Sequence, residues 1–146
     1  MIDRNRHIKR APEKWHENSY AGKFDLVITC EERCFDSVLD DLMGRMVNKD
    51  GPNYEVKQIV HVVNVDIKDD NENAIIGGRG ILKLVNMIHA FRKEEHSKIQ
   101  ELDSSPLAEK EVDLSPFILE DQFVKILTEW QKDHTHLPTL YGVGYY

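Results

Sequence analysis

Ile59-Val60-His61-Val62-Val63-Asn64-Val65-Asp66-Ile67-Lys68-Asp69-Asp70 is the stretch that decides the fold. Its first seven residues form an apolar, β-branched run with the length of a buried strand, and the run stops at a cluster of carboxylates. Upstream, Phe24-Asp25-Leu26-Val27-Ile28-Thr29 reads as a second buried strand. Between them, Phe35, Val38, Leu39, Leu42 and Met46 recur at helical spacing and predict a helix over Glu31 to Met46. Downstream, Ile75, Ile76, Ile81, Leu82, Leu84, Val85, Ile88 and Phe91 predict a long helix from about Glu72 to about Gln100. Gly77, Gly78 and Gly80 fall inside it. Each costs about 1 kcal/mol relative to alanine in a helix interior, so close packing against the sheet is expected to offset them. Strand, helix, strand, helix implies parallel pairing through right-handed crossovers, and the class is α/β.

The flanks are less regular. Residues 1–23 alternate charges and breakers, and read as a loop with at most a short helix around Pro12 to Trp15. Asn48 to Asn53 is a turn cluster. Leu102 to Pro116, with Ser104-Ser105-Pro106 and Ser115-Pro116 amid charges, reads as a mobile connection. The two Ser-Pro pairs can serve proline-directed kinases or be ordinary loop composition. Phe117 to Lys132 predicts a last amphipathic helix carrying Phe123, Ile126, Leu127 and Trp130, and His134 to Tyr146 reads as a tail containing proline and glycine.

The 146 residues, 40% hydrophobic, suit one domain with a real core. A net charge of -7 argues against a nucleic-acid partner held by phosphate neutralisation. The two cysteines do not make a disulfide scaffold, and the amino-terminal stretch has no apolar core of a secretory signal. No stretch reads as the roughly 20 apolar residues of a membrane helix. A reducing compartment, cytosol or nucleus, is expected.

In open α/β sheets, ligands bind beyond the carboxyl ends of the strands. Glu31-Glu32 and Asp66, Asp69 and Asp70 all fall there. A carboxyl at such a strand end can act as a general acid, and the same residues can cap the following helix; Asp69, Asp70 and Asn71 are all eligible. Glu31, Glu32 and Arg33 can position a ligand by ion pairing or simply form a charged first turn. A cysteine phosphatase needs a thiolate with an arginine on the far side of a phosphate-binding loop. Counting that spacing from Cys30 gives Asp36, and from Cys34 gives Asp40. Neither cysteine fits, and Cys30 reads as a small core residue at a strand end. His134 and His136 alternate in the tail as a potential metal pair or as solvated residues. Gly77-Gly78-Arg79-Gly80 lacks the pattern of a phosphate loop and reads as packing.

Several long stretches go beyond generic patterning. They are Met1 to Arg6, Ala11 to Trp15, Phe24 to Asp36, His61 to Ala74, Ile126 to Gln131, and Leu137-Pro138 through Tyr145-Tyr146. In order and spacing they resemble the RNA polymerase II carboxy-terminal-domain phosphatases of the cleavage and polyadenylation factor, the fungal branch most of all. The resemblance spans the chain except about 94–116, an expected flexible insertion.

That resemblance implies a three-layer fold like the low-molecular-weight tyrosine phosphatases, with a central parallel sheet. It implies a phosphoserine–proline phosphatase of the polymerase tail repeat, acting in the nucleus in mRNA 3′-end processing and transcription termination. It implies a phosphocysteine mechanism without metal or other cofactor. Asp69 matches the general acid, Asp66 a supporting acid, and Met1 a position near the substrate's proline groove. The expected partners are the phosphorylated repeat and a symplekin-like scaffold, with no direct nucleic acid and no membrane. The family's first strand and cysteine loop precede the positions matched here. Residues 1–146 are therefore expected to form one partial domain, the product of a truncated gene or a fragment. Such a domain is expected to be inactive alone and to have an unpaired apolar strand edge. The alternative is a non-catalytic fragment that binds the scaffold. A phosphate-accepting receiver domain ranks last, because neither its lysine past a later strand nor its strand before an amino-terminal acidic pair can be placed in the sequence.

Overall fold

The computed structural model describes residues 6–8, 10–11, 13–17, 24–47, 58–102 and 118–145. A 3-10 turn at Trp15–Glu17 precedes β1 (Leu26–Thr29), α1 (Glu32–Val47), β2 (Ile59–Val65), α2 (Asn71–Leu102), α3 (Glu120–Asp133) and β3 (Thr139–Tyr145). The strands form one sheet in the order β1-β2-β3. As expected from the sequence, β1 and β2 are parallel, with Leu26 opposite His61 and Thr29 opposite Asn64.

The sheet is not wholly parallel, which corrects the sequence reading. The stretch taken for a tail is a strand, β3, running antiparallel to β2 with Thr139 opposite Val65 and Tyr145 opposite Ile59. Its glycines, which look like breakers, are what let it sit there. A Cβ on Gly144 would stand 2.5 Å from Leu42 Cδ1 and 2.9 Å from Leu42 Cβ, and one on Gly142 would stand 2.8 Å from Leu39 Cδ1. Bare backbone at these two positions lets α1 lie close on the sheet.

Helices cover both faces, giving three layers. On one face, Phe35, Val38 and Leu42 of α1 pack with Val60 and Val62 of β2. On the other, Leu84 and Ile88 of α2 and Phe123, Leu127 and Trp130 of α3 pack with Val63 and Val65. Alternation along β2 thus feeds both cores. Trp130 Nε1 donates to the Gly80 carbonyl at 2.8 Å, tying α3 to α2 where a Cβ on Gly80 would strike Leu137. Close packing occurs at Gly77 against Ile67 and at Gly80 against Leu137, which lie outside the strands rather than in the sheet as expected, whereas nothing approaches Gly78.

By length and composition α2 could cross a membrane, contrary to the expectation from sequence. Leu84 and Ile88 are buried in the sheet-facing core, whereas Ile75, Ile76, Leu82 and Val85 are exposed. The helix runs to Leu102, so the start of the expected 94–116 insertion is helical. The rest of that insertion, both Ser-Pro pairs, Pro12, Met1 and the Asn48–Asn53 turn lie outside the described residues. The last helix begins at Glu120 rather than Phe117, with the Gln122 side chain accepting from the Leu119 amide at 3.1 Å.

Two buried polar residues, His61 and Asn64, interrupt β2. His61 is fully buried and stacks on Phe123 at 4.4 Å. Its Nε2 lies 2.8 Å from the Ile118 carbonyl, and its Nδ1 lies 2.8 Å from the Tyr141 hydroxyl. A carbonyl only accepts, so Nε2 carries the proton and the Tyr141 hydroxyl donates to Nδ1. Burial keeps the imidazole below its ordinary range, against the opposing pull of the Ile118 carbonyl, Glu120 and Asp25.

This packing sets the response to substitution and to pH. Gly144→Ala should lower stability by about 1–3 kcal/mol through overpacking, while Gly78→Ala should raise it by up to about 1 kcal/mol; urea unfolding of both variants reads the difference. Because folded His61 resists protonation, the folded chain binds fewer protons than the unfolded chain. Stability should therefore fall as pH drops below the ordinary histidine value of 6.5. Urea midpoints measured from about pH 7.5 down to about 5.5 should show this decline, and a His61→Gln variant should show less of it.

Candidate functional site

Parallel pairing puts the carboxyl ends of β1 and β2 on one edge of the sheet. The chain leaves β1 at Cys30-Glu31 and leaves β2 at Asp66 to Asp70, and backbone hydrogen bonds join the two exits. The Ile67 amide donates to the Cys30 carbonyl at 3.2 Å, and the Asp66 amide donates to the Pro138 carbonyl at 2.9 Å. Just inside, Thr29 Oγ1 donates to Asn64 Oδ1 at 2.8 Å across the two strands in a buried contact. Gly77 seats the first turns of α2 against Ile67, where a side chain would collide with the isoleucine. The acidic loop is therefore anchored to both neighbouring strands and to the helix that follows it.

Within the loop, the capping role goes to Asp70. Its Oδ1 accepts from the Asn73 amide at 2.8 Å, and its Oδ2 accepts from Asn73 Nδ2 at 2.6 Å. Its carbonyl accepts the Ala74 amide at 2.9 Å, the first bond of the helix. The Asn73 backbone amide, then the Asn73 side chain, hold this carboxyl below its ordinary range. Asp69 and Asp66 are both exposed on the same edge, outside the cap. Of the three capping candidates left open by the sequence, only Asp70 is used.

At the other exit, Arg33 Nε is ion-paired with Glu31, and that hydrogen bond is the main cause pushing the guanidinium up. With Glu32 in the first turn of α1, this supports the structural reading of the cluster rather than a free cation waiting for a ligand. Cys30 is exposed rather than a core residue, because the strand ends at Thr29 and position 30 lies beyond the helical cover. Partial burial of its side chain, then the neighbouring Cys34 and Glu31, push the Cys30 thiol up.

The remaining candidates are structural. His134 stacks on Trp130 at 4.4 Å, and its Nδ1 donates to the Trp130 carbonyl at 2.8 Å, so it closes the end of α3. His136 lies 6.0 Å away, ring to ring. Among the described residues, no group of three or more His, Cys, Asp or Glu could hold a metal. The buried trio His61, Phe123 and Tyr141 was not identified from the sequence, although a histidine inside an apolar strand was its signal.

A family model described as Ssu72-like protein matches residues 1–146. The chain is 65% identical over 146 residues to the RNA polymerase II C-terminal domain phosphatase SSU72 of Debaryomyces hansenii, covering 100% of itself and 62% of that protein. To the corresponding phosphatase of Schizosaccharomyces pombe it is 36% identical, covering 100% of itself and 57% of that protein. The chain thus spans little more than half the length of these relatives. Among solved structures it is similar to D. melanogaster Ssu72 crystallised with Symplekin and a cis peptidomimetic CTD phosphopeptide. The TM-score is 0.64 at 24% identity, covering 99% of this chain and 57% of that one, a likeness that establishes the fold.

The cap assignment is testable by stability alone. Asp70→Ala should cost about 0.5–2 kcal/mol. Asp69→Asn should leave the urea midpoint unchanged; an equal loss from both would contradict the division of roles.

Proposed function

The chain belongs to the Ssu72-like protein family, and on that premise we propose that it is the acid-bearing part of a phosphoserine–proline phosphatase of the RNA polymerase II carboxy-terminal repeat. The observation that carries this reading is the division of labour in the Asp66–Asp70 loop. Asp70 takes the helix cap, and Asp69 stays exposed at the carboxyl edge of the parallel strands. In that position its carboxyl gives a proton to the departing serine oxygen as the phosphorus–oxygen bond breaks. Asp66, held at the base of the same loop by the Pro138 carbonyl, is the supporting acid. Met1, outside the described residues, matches by resemblance alone a family position near the groove for the substrate's proline.

The attacking thiolate and the phosphate-binding arginine of the family's mechanism are not supplied by residues 1–146, since Asp36 and Asp40 stand where Cys30 and Cys34 would require arginine. The proposed mechanism therefore assigns this chain the second half of the machinery: acid, loop support and helical cover. The attack forms phosphocysteine, and water then releases phosphate. No metal or other cofactor enters the proposal. The proposed fold relationship is to the low-molecular-weight tyrosine phosphatases. The proposed setting is the nucleus, in mRNA 3′-end processing and transcription termination.

β1 supports the partial-domain reading. It lies at one end of the strand order, so among the described residues only one of its edges is paired, and Leu26, Val27 and Ile28 are only half-buried. A strand whose far edge is open is what a sheet lacking its family's first strand would present. A second reading is a non-catalytic module that binds a symplekin-like scaffold, favoured by the co-crystallisation of the similar D. melanogaster protein with Symplekin.

Aryl-phosphate hydrolysis separates the two. The chain alone should show no turnover. Supplying the family's amino-terminal cysteine-loop segment should restore turnover, and Asp69→Asn in that assembly should lower kcat by about 10²–10⁴-fold. Turnover unaffected by Asp69→Asn would overturn the acid assignment. Capture of the scaffold by a chain that stays inactive in the restored assembly would favour the second reading.

A further inference from the structure

Cys30 and Cys34 are the chain's two cysteines, and both are exposed free thiols. They flank the entry to α1. Cys30 directly follows the last residue of β1, and Cys34 lies in the first turn of the helix. The Cys34 and Phe35 amides both donate to the Glu31 carbonyl at 3.1 Å, so the backbone turns sharply between the two cysteines. Such a turn brings the residue before the cap to the same end of the helix as the first-turn side chains. Partial burial first, then the neighbouring Cys34 and Glu31, push the Cys30 thiol up. Arg33, whose Nε is ion-paired with Glu31, directly precedes Cys34 in the chain. An exposed sulfur beside a cation and a second thiol is the setting in which peroxides oxidise cysteine reversibly.

We propose that Cys30 and Cys34 form a reversible oxidation site that reacts with hydroperoxides and closes an intrachain disulfide across the entry to α1. In the first step one sulfur attacks the peroxide, the O–O bond breaks, and water or an alcohol leaves, giving a sulfenic acid. In the second step the other thiol attacks that sulfur, the S–O bond breaks and water leaves as the S–S bond forms. With hydrogen peroxide, two thiols lose two electrons and two protons, and one peroxide becomes two waters. Disulfide geometry requires the two Cα atoms to lie roughly 4.4–6.8 Å apart with a fixed bridge dihedral, so closure constrains the backbone at Cys30. The Cys30 carbonyl is the acceptor that holds the Ile67 amide. Closing the bridge therefore loosens the tether of the Asp66–Asp70 loop. The site is built by the strand-end geometry and is independent of phosphatase chemistry.

The experiment treats the whole 146-residue chain with hydrogen peroxide and analyses the peptide containing both cysteines by mass spectrometry. The expected product is about 2 mass units lighter than the reduced peptide, monomeric, and restored by dithiothreitol. Cys34→Ser should eliminate that product and leave Cys30 to over-oxidise or cross-link between chains. Amide exchange at Ile67 should accelerate several-fold in the oxidised protein and return on reduction. Sulfinic acid or interchain dimers alone from the unsubstituted chain would overturn the site. A bridge that forms while Ile67 exchange stays unchanged would overturn its coupling to the loop.

Discussion

The burial of β2 on both faces is the constraint from which the rest of the molecule is built. Val60 and Val62 supply one core and Val63 and Val65 the other, so the strand must have a helix on each side and a strand on each edge. A fully buried histidine in its middle adds a polar demand, because an unpaired imidazole there would cost more than its packing returns. Tyr141 and the Ile118 carbonyl meet that demand from two distant parts of the chain. The same contacts fix β3 and the approach to α3, so the satisfaction of one ring fixes the placement of the carboxy-terminal third.

The acidic edge is a consequence of that frame. Once β1 lies parallel to β2, their exits must emerge side by side, and the Ile67–Cys30 hydrogen bond couples them. Neighbouring carboxylates in one short loop then end in different roles. Asp70 accepts hydrogen bonds from Asn73 and so binds itself to α2, while Asp69 and Asp66 remain in solvent on the same edge. The distinction comes from backbone direction rather than residue type.

Much of this was legible in the sequence. Apolar runs located β1 and β2, helical spacing located α1 and α2, and strand-end carboxylates located the edge. The glycines of α2 were read as packing, and Gly77 and Gly80 do pack closely, against residues outside the strands. What could not be read was decided by tertiary contact. Gly142 and Gly144 look like breakers until Leu39 and Leu42 are seen to need their space. His134 looks solvated until Trp130 is beneath it. The cap could be assigned to Asp70 over Asp69 only from side-chain geometry, since spacing permits both. Cys30 was expected in the core because it follows an apolar run, but the run ends one residue before it.

The late position of β3 also bears on the order of assembly. His61 meets Tyr141 across 80 residues of chain, and β3 supplies one whole edge of the central strand. Local helices can form early, but the sheet closes only through this distant pairing, which carries a large loop-closure cost. Until then β2, the most apolar strand, has an open side. The nascent chain is therefore most prone to self-association in the interval between completing its hydrophobic centre and acquiring the strand that shields it.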